Sequence, residues 1–389
     1  MPSTPHAVRQ LHTDTDDKPF IVIWEVTRAC QLVCAHCRAD SQHEPHAMQL
    51  STDDGKRLLD SLATYDPPRP IVVFTGGDPF ERDDLEELVA YGTAAGLHIS
   101  LSPSVTPKLT AERLAGLRAA GAHAVSLSLD GASAATHDGF RGIDGVFDET
   151  MQAAADITGA GLRLQVNTTV TRGNVDELPD LLHIVKGFGT MLWSVFFLVP
   201  TGRGEDLDAL NADEIEEVLH WLHDISDHIA VKSTEAPQFR RLAIQRRAAA
   251  ADGDVDEVFP PGELRRRLRA ATVERLGSLH GDRRAPRPPL DVNAGRGFAF
   301  VDHLGTVYPS GFLPIAAGSV RAQPFPEIYR ESPVLRSLRD ADSFGGRCGR
   351  CEFRTLCGGS RSRAFAMTGD PLAEDPSCAY VPAMPVAVS

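Results

Sequence analysis

The chain has 389 residues, a net charge of −14, and 42 % hydrophobic and 24 % charged residues, the balance of an ordinary globular protein. That length allows a large core and two domains, while the acidic surplus argues against a nucleic-acid partner held by general electrostatics. No run approaches the roughly 20 apolar residues that span a bilayer, so no membrane segment is expected.

Residues 1–18 are polar and lack the apolar stretch of a secretion signal. They read as a flexible tail on a cytoplasmic protein. From 19 to 204 short apolar runs alternate with amphipathic segments. The runs at 21–26, 71–74, 98–101, 124–129, 162–170 and 192–198 are mostly continuous, as for parallel strands covered on both faces. Ser51 opens a capped helix with Leu58, Leu59 and Leu62 on one face; Thr110 opens another, carrying Leu114 and Leu117 and stopped by Gly121. Six such units make an α/β domain, either an open barrel or a doubly wound sheet, with ligands beyond the C-terminal strand ends.

Residues 205–296 read as a helical bridging region. Between 236 and 298 there are 13 Arg against 8 Asp plus Glu, and these guanidinium groups are expected either on solvated helix faces or on substrate carboxylates. His220 and His223, with His228 close behind, fit a solvated helix face better than a metal or haem site. Pro286, Pro288 and Pro289 mark a linker. From 297 to 389 a β-hairpin leads into a small cysteine-rich domain.

The seven cysteines fall into two groups, an odd and clustered set that suits metal better than disulfides in a reducing compartment. Cys30, Cys34 and Cys37 place three thiolates on one loop. An iron–sulfur cubane normally takes four cysteines, so three leave one iron with an open position; zinc, with His36 or His43 as fourth ligand, is the competing reading. Cys348, Cys351, Cys357 and Cys378 supply a complete set for a second cluster, or for a structural zinc.

The segment Trp24-Glu-Val-Thr-Arg-Ala-Cys30-Gln-Leu-Val-Cys34-Ala-His-Cys37 resembles the signature of the radical S-adenosylmethionine (SAM) superfamily. The glycine-rich Thr75-Gly76-Gly77-Asp78-Pro79 resembles its second motif, and the second cysteine group resembles the SPASM/twitch extension. Within the superfamily the chain looks closest to the enzymes of alternative haem and haem-d1 synthesis. The resemblance implies a partial (β/α)6 TIM-like barrel with a small α+β SPASM/twitch domain and two [4Fe–4S] clusters, one binding SAM and one auxiliary. It implies that SAM lies near His36, Gly76, Gly77 and Asp78, with Ser128, Asp130, Arg141 and Asn167 as further contacts and Arg141 paired to the SAM carboxylate. Ser310 and Ser360 stand where many relatives carry Cys, and the stretch from Leu101 to Thr106 departs from a usual Thr-Asn-Gly strand end.

The resemblance also implies a reaction. A 5′-deoxyadenosyl radical would abstract hydrogen from a propionate of a tetrapyrrole such as iron-coproporphyrin, with loss of carbon dioxide. A flavodoxin- or ferredoxin-type protein would supply electrons. Two other readings stand beside it: a maturase of a ribosomally made peptide, and a non-enzymatic iron–sulfur electron carrier.

Overall fold

Seven parallel strands follow one another in chain order across a single sheet in the computed structural model, which describes residues 7–9, 11, 13–281 and 287–383. They are β1 (Ile21–Thr27), β2 (Ile71–Gly76), β3 (His98–Leu101), β4 (Ala124–Ser128), β5 (Arg163–Val170), β6 (Leu192–Phe197) and β7 (Val231–Thr234). The first six sit where the apolar runs place them. β7 falls inside the region expected to be helical, because four residues beside long helical patterns carry little periodic signal. β8 (Asn293–Ala294), β9 (Gly297–Val301), β10 (Thr306–Tyr308) and β11 (Gly318–Ser319) complete the sheet. β9 pairs in parallel with β1, opposite Ile21 to Trp24, so the hairpin of the C-terminal region extends the barrel wall.

The capped helices form as the sequence directs. Ser51 and Asp54 make a reciprocal capping box on Thr52–Ala63, which buries Leu58, Leu59 and Leu62. Thr110 caps Ala111–Ala119 through the Arg113 N–H. Helices seal the outer face of the sheet, where Trp24, Phe74, Val125, Val166 and Trp193 are fully buried. The inner face is different from the expected doubly covered runs. Along β5 the accessible positions are Gln165, Asn167 and Thr169, alternating with buried Leu164, Val166, Thr168 and Val170. On β5 the inner wall is therefore polar and partly open.

The segment before β1 is anchored, not loose, where it is described. Val8 is buried, Arg9 bridges to Leu290, the Tyr329 hydroxyl donates to the Thr15 carbonyl at 2.7 Å, and Asp16 and Asp17 pair with Arg339 and Arg330. Pro286 lies outside the described residues. No described helix is long and apolar enough to cross a membrane.

The Arg-rich segments divide: Arg247, Arg266 and Arg267 are exposed, as on a solvated helix face, while others turn inward. Asp224, at the end of helix Ala212–Asp224, accepts from Arg246 at 2.6 Å, Arg265 at 3.0 Å and Arg269 at 2.7 Å. Arg241 forks onto Glu216, and Arg240 reaches the carbonyls of Val292 and Leu356. His220 is buried against Arg246, which with burial pushes its imidazole down to about 3. These groups are structural, and the expectation that this patch meets substrate carboxylates does not hold for them. A helical pattern shows that an arginine exists but not whether an acid elsewhere in the chain faces it.

The two edges of the sheet are tied together by one carboxylate. Glu235, just beyond β7 with a positive φ of 57°, accepts from Ser310 at 3.5 Å, Ser362 at 3.2 Å and Ser360. The two serines that depart from the relatives' cysteines thus meet on one acid.

Burial raises the pKa of Asp224, but hydrogen bonds from Arg269 and Arg265 and the charge of Arg246 outweigh it and hold the carboxyl well below the usual range. Its contribution to stability is complete above the unfolded carboxyl range and is lost as pH falls through that depressed folded value. Asp224→Ala leaves three guanidinium groups facing each other and should cost about 3–5 kcal/mol near neutral pH, measured as a lowered midpoint in urea unfolding.

Candidate active site

The three thiols of the first group are free and lie on the loop that follows β1. The loop closes on itself through the Cys30 N–H to the Gln42 carbonyl at 2.8 Å and the Cys37 N–H to the Cys34 carbonyl at 3.2 Å. Each sulfur has its own neighbour, two of them from other strand ends and one from the loop itself. Cys30 Sγ lies 3.5 Å from Ser104 Oγ, beyond β3. Cys34 Sγ accepts from Arg141 Nη1 at 3.6 Å, on the helix after β4. Cys37 Sγ lies 3.6 Å from Ser41 Oγ, which Arg203 from beyond β6 also contacts at 3.3 Å. Burial pushes the Cys30 thiol up to about 11. Burial also opposes ionisation of Cys37, but bonds from Ser41 and the nearby Arg203 prevail and lower its pKa.

The glycine pair after β2 fits against this loop backbone to backbone. A Cβ on Gly76 would lie 2.3 Å from the Thr27 carbonyl oxygen, and one on Gly77 would lie 2.3 Å from that of Ala29. The Gly77 N–H donates to the Thr27 carbonyl at 2.9 Å and the Asp78 N–H to the Ala29 carbonyl at 2.7 Å. The loop thus acquires a floor made of backbone. Asp78 is fully buried, and its carboxylate accepts from Phe80 N–H at 3.1 Å, Ser104 N–H at 3.4 Å and Thr106 Oγ1 at 2.8 Å. Burial raises its pKa to about 6 despite those bonds. Asp78 therefore braces the loop carrying Ser104 and has no free oxygen turned outward. Ser104 and Thr106 belong to the stretch from Leu101 to Thr106, and both bond this acid.

The remaining expected contacts divide into two sets. Arg141 and Asp130 are buried against each other, and Asp130 also accepts from the Thr169 N–H at 2.7 Å. Arg141 is committed to this acid and to Cys34, so its charge serves that thiol and is not offered as a free carboxylate clamp. Ser128 and Asn167 lie side by side on the open inner wall, and the Asn167 side-chain oxygen accepts from Gln165 at 2.8 Å. His36 stacks at 4.6 Å on Phe140, and its Nδ1 has no hydrogen-bond partner among the described residues. Burial lowers its pKa to about 4, so at neutral pH a neutral imidazole with an unmatched polar atom faces the site. That orphaned atom, three free thiols and a polar wall suit an iron–sulfur cluster with a polar organic ligand.

Cys348, Cys351, Cys357 and Cys378 line one recess with Arg241, Arg347 and Tyr380. Arg361 donates to Cys348 Sγ at 3.4 Å and the Asp375 N–H does so at 3.3 Å. Burial pushes the Cys357 thiol up to about 11, so a metal centre here must displace protons as it binds. Among the described residues no three His, Cys, Asp or Glu side chains converge closely enough for one metal ion; the thiols frame a space rather than a point. Arg240, the Asn293 amide and Gln238 fasten this region to the barrel, through the Leu356 carbonyl at 2.7 Å, the Cys357 carbonyl at 3.2 Å and Asp375 at 2.8 Å.

Residues 24–185 match the family model described as Radical SAM superfamily. The chain is 38 % identical over 383 residues to the AdoMet-dependent heme synthase of Nitratidesulfovibrio vulgaris, covering 97 % of each chain. It is 38 % identical over 366 residues to the protein of the same name from Methanosarcina barkeri, covering 94 % of this chain and 97 % of that one. Its fold matches the SAM-bound crystal structure of Streptococcus suis SuiB with a TM-score of 0.65 at 13 % identity, over 94 % of this chain and 78 % of the other.

Gly77→Ala should push the β2 end off the cysteine loop, an overpacking cost of about 1–3 kcal/mol. The expected outcome is a lowered melting temperature together with reduced iron uptake at the first cysteine group, read in a variant that also lacks the four distal cysteines.

Proposed function

The chain belongs to the radical SAM superfamily and is a radical SAM enzyme, and on that footing we propose that it oxidatively decarboxylates propionate side chains of an iron-containing tetrapyrrole. The observation that carries this reading is the near-full-length identity to proteins named as AdoMet-dependent heme synthases.

In this proposal Cys30, Cys34 and Cys37 hold the SAM-binding [4Fe–4S] cluster, and Cys348, Cys351, Cys357 and Cys378 hold an auxiliary one. When bound, the first cluster and SAM supply a carbon radical able to take hydrogen from unactivated carbon, chemistry beyond any side chain. The protein's own part is positioning. Arg141 sets a fixed positive charge beside Cys34, Ser41 and Arg203 favour the Cys37 thiolate, and the Gly76–Gly77 backbone holds the loop at the barrel mouth. Ser128 and Asn167 offer hydroxyl and amide groups to SAM from the inner wall, with neutral His36 beside the adenine.

The inner space also suits the substrate. Phe196 on β6 and Phe312 beyond β10 are partly accessible, 6.5 Å apart between ring centroids. Flat apolar rings beside a polar wall match a macrocycle with an apolar body and charged arms. The electron released on decarboxylation needs an acceptor, a role that a cluster held by Cys348, Cys351, Cys357 and Cys378 would fill. In the same reading an external flavodoxin- or ferredoxin-type protein would be the electron donor.

Anaerobic reconstitution followed by incubation with SAM, a reductant and iron-coproporphyrin tests this. The expected result is 5′-deoxyadenosine formed together with porphyrins that have lost carboxyl groups, seen by mass spectrometry. Deoxyadenosine formation with unaltered porphyrin would sink the tetrapyrrole assignment. Cys378→Ala should lower bound iron from about eight to about four per chain, measured by colorimetric iron assay.

A further inference from the structure

One charge on the inner wall makes no hydrogen bond among the described residues. Lys232 lies on β7 in register with Ser194, which is in register with Asn167 on β5, which in turn aligns with Ser128 on β4. The neighbours of Lys232 on its own strand, Val231 and Ser233, align with outward-facing Trp193 and Val195. Lys232 therefore shares the inner face with the polar row. Its ammonium makes no hydrogen bond or ion pair among the described residues.

The other charges around this space are matched within the protein. Glu25 is held by Arg38 at 2.7 Å and His303 at 2.8 Å, and Asp130 by Arg141. Glu235, the acid closest to Lys232 in sequence, is taken up by its serine hydroxyls. Burial and the charge of Arg287 lower the Lys232 pKa to about 8, against the opposing pull of the Glu235 charge. The ammonium is thus held in a poorly solvating position beside a second cation, and the one protein anion that acts on it makes no hydrogen bond to it and is already committed to serine hydroxyls. Burying an unpaired charge is costly unless a ligand completes it.

We infer that Lys232 binds a carboxylate of the substrate, on the wall opposite the SAM side. Three strand spacings separate it from Ser128, about 14 Å along the sheet. That span lets a wide, flat molecule lie between the reactive end and a carboxylate anchor. The inference rests on the tetrapyrrole reading and assigns to Lys232 the recognition role that the Arg-rich helices do not fill. An ammonium on a flexible stem suits a single carboxylate arm, where a guanidinium would demand two parallel bonds.

The test is visible-band titration of the reconstituted holoenzyme with iron-coproporphyrin and with its tetramethyl ester, which has the same macrocycle and no carboxylates. Wild-type protein should prefer the acid. Lys232→Met should lower affinity for the acid about tenfold and leave affinity for the ester unchanged, and Lys232→Arg should restore part of the loss. Iron content and melting temperature verify that each variant folds. Equal affinity of Lys232→Met and wild type for the acid would overturn the lysine assignment alone, and so would equal losses for acid and ester. Wild-type protein that binds neither porphyrin would overturn the tetrapyrrole reading and the lysine assignment with it.

Discussion

The site depends on a close approach of two backbones. Gly76 and Gly77 bring the end of β2 against the carbonyls of Thr27 and Ala29 with no room for a Cβ. Two hydrogen bonds then fix the cysteine loop over the strand ends. Beyond the loop's own Ser41 and Leu32, the groups that meet the thiols come from neighbouring strand ends and depend on that placement: Ser104 after β3, Arg141 after β4, and Arg203 after β6, which bonds Ser41. A side chain in place of either glycine would move three sulfurs at once. In a parallel α/β sheet the C-terminal strand ends are where loops from several strands can converge, and here the backbone contact selects which of them meet.

Electrostatically the molecule is divided. The helical region between β6 and β9 commits many of its cations to protein acids and carbonyls, with Asp224 shared among Arg246, Arg265 and Arg269. Such a network holds helices that are distant in sequence in one arrangement, while removal of its central acid leaves uncompensated charge. The barrel interior is sparse by comparison, with few charges and nearly all of them paired. An ammonium there that makes no hydrogen bond within the described protein has donors to offer, which the paired guanidinium groups on the helices do not.

Features that depend on neighbours in sequence were legible in it. The capping box at Ser51, the six apolar runs and the spacing of Cys30, Cys34 and Cys37 are local patterns, and the helices, strands and cysteine loop form where those patterns lie. The glycine motif was legible as a backbone contact, although its partner is the loop's own carbonyls. Long-range pairing was not legible. Nothing near residue 298 indicates that β9 will lie beside β1, a partner met across more than half the chain. The same limit hid the destination of Arg240 and Arg246, the commitment of Arg141 to Asp130, and β7 itself, whose four residues are too few to show a period. Asp78 was expected to face a ligand and faces Thr106 instead, because a motif names the residue and only the fold says which way it turns.

The serine clasp on Glu235 has a mechanical consequence. Ser310 comes from the hairpin side, Ser360 and Ser362 from the cysteine-rich side, and Glu235 from the last strand of the barrel. Swinging any of these pieces outward strips donors from one half-buried carboxylate, and its lost solvation resists the motion. The seam of the open barrel is therefore riveted. The hairpin, the cysteine-rich region and the last barrel strand are held in register by that shared carboxylate.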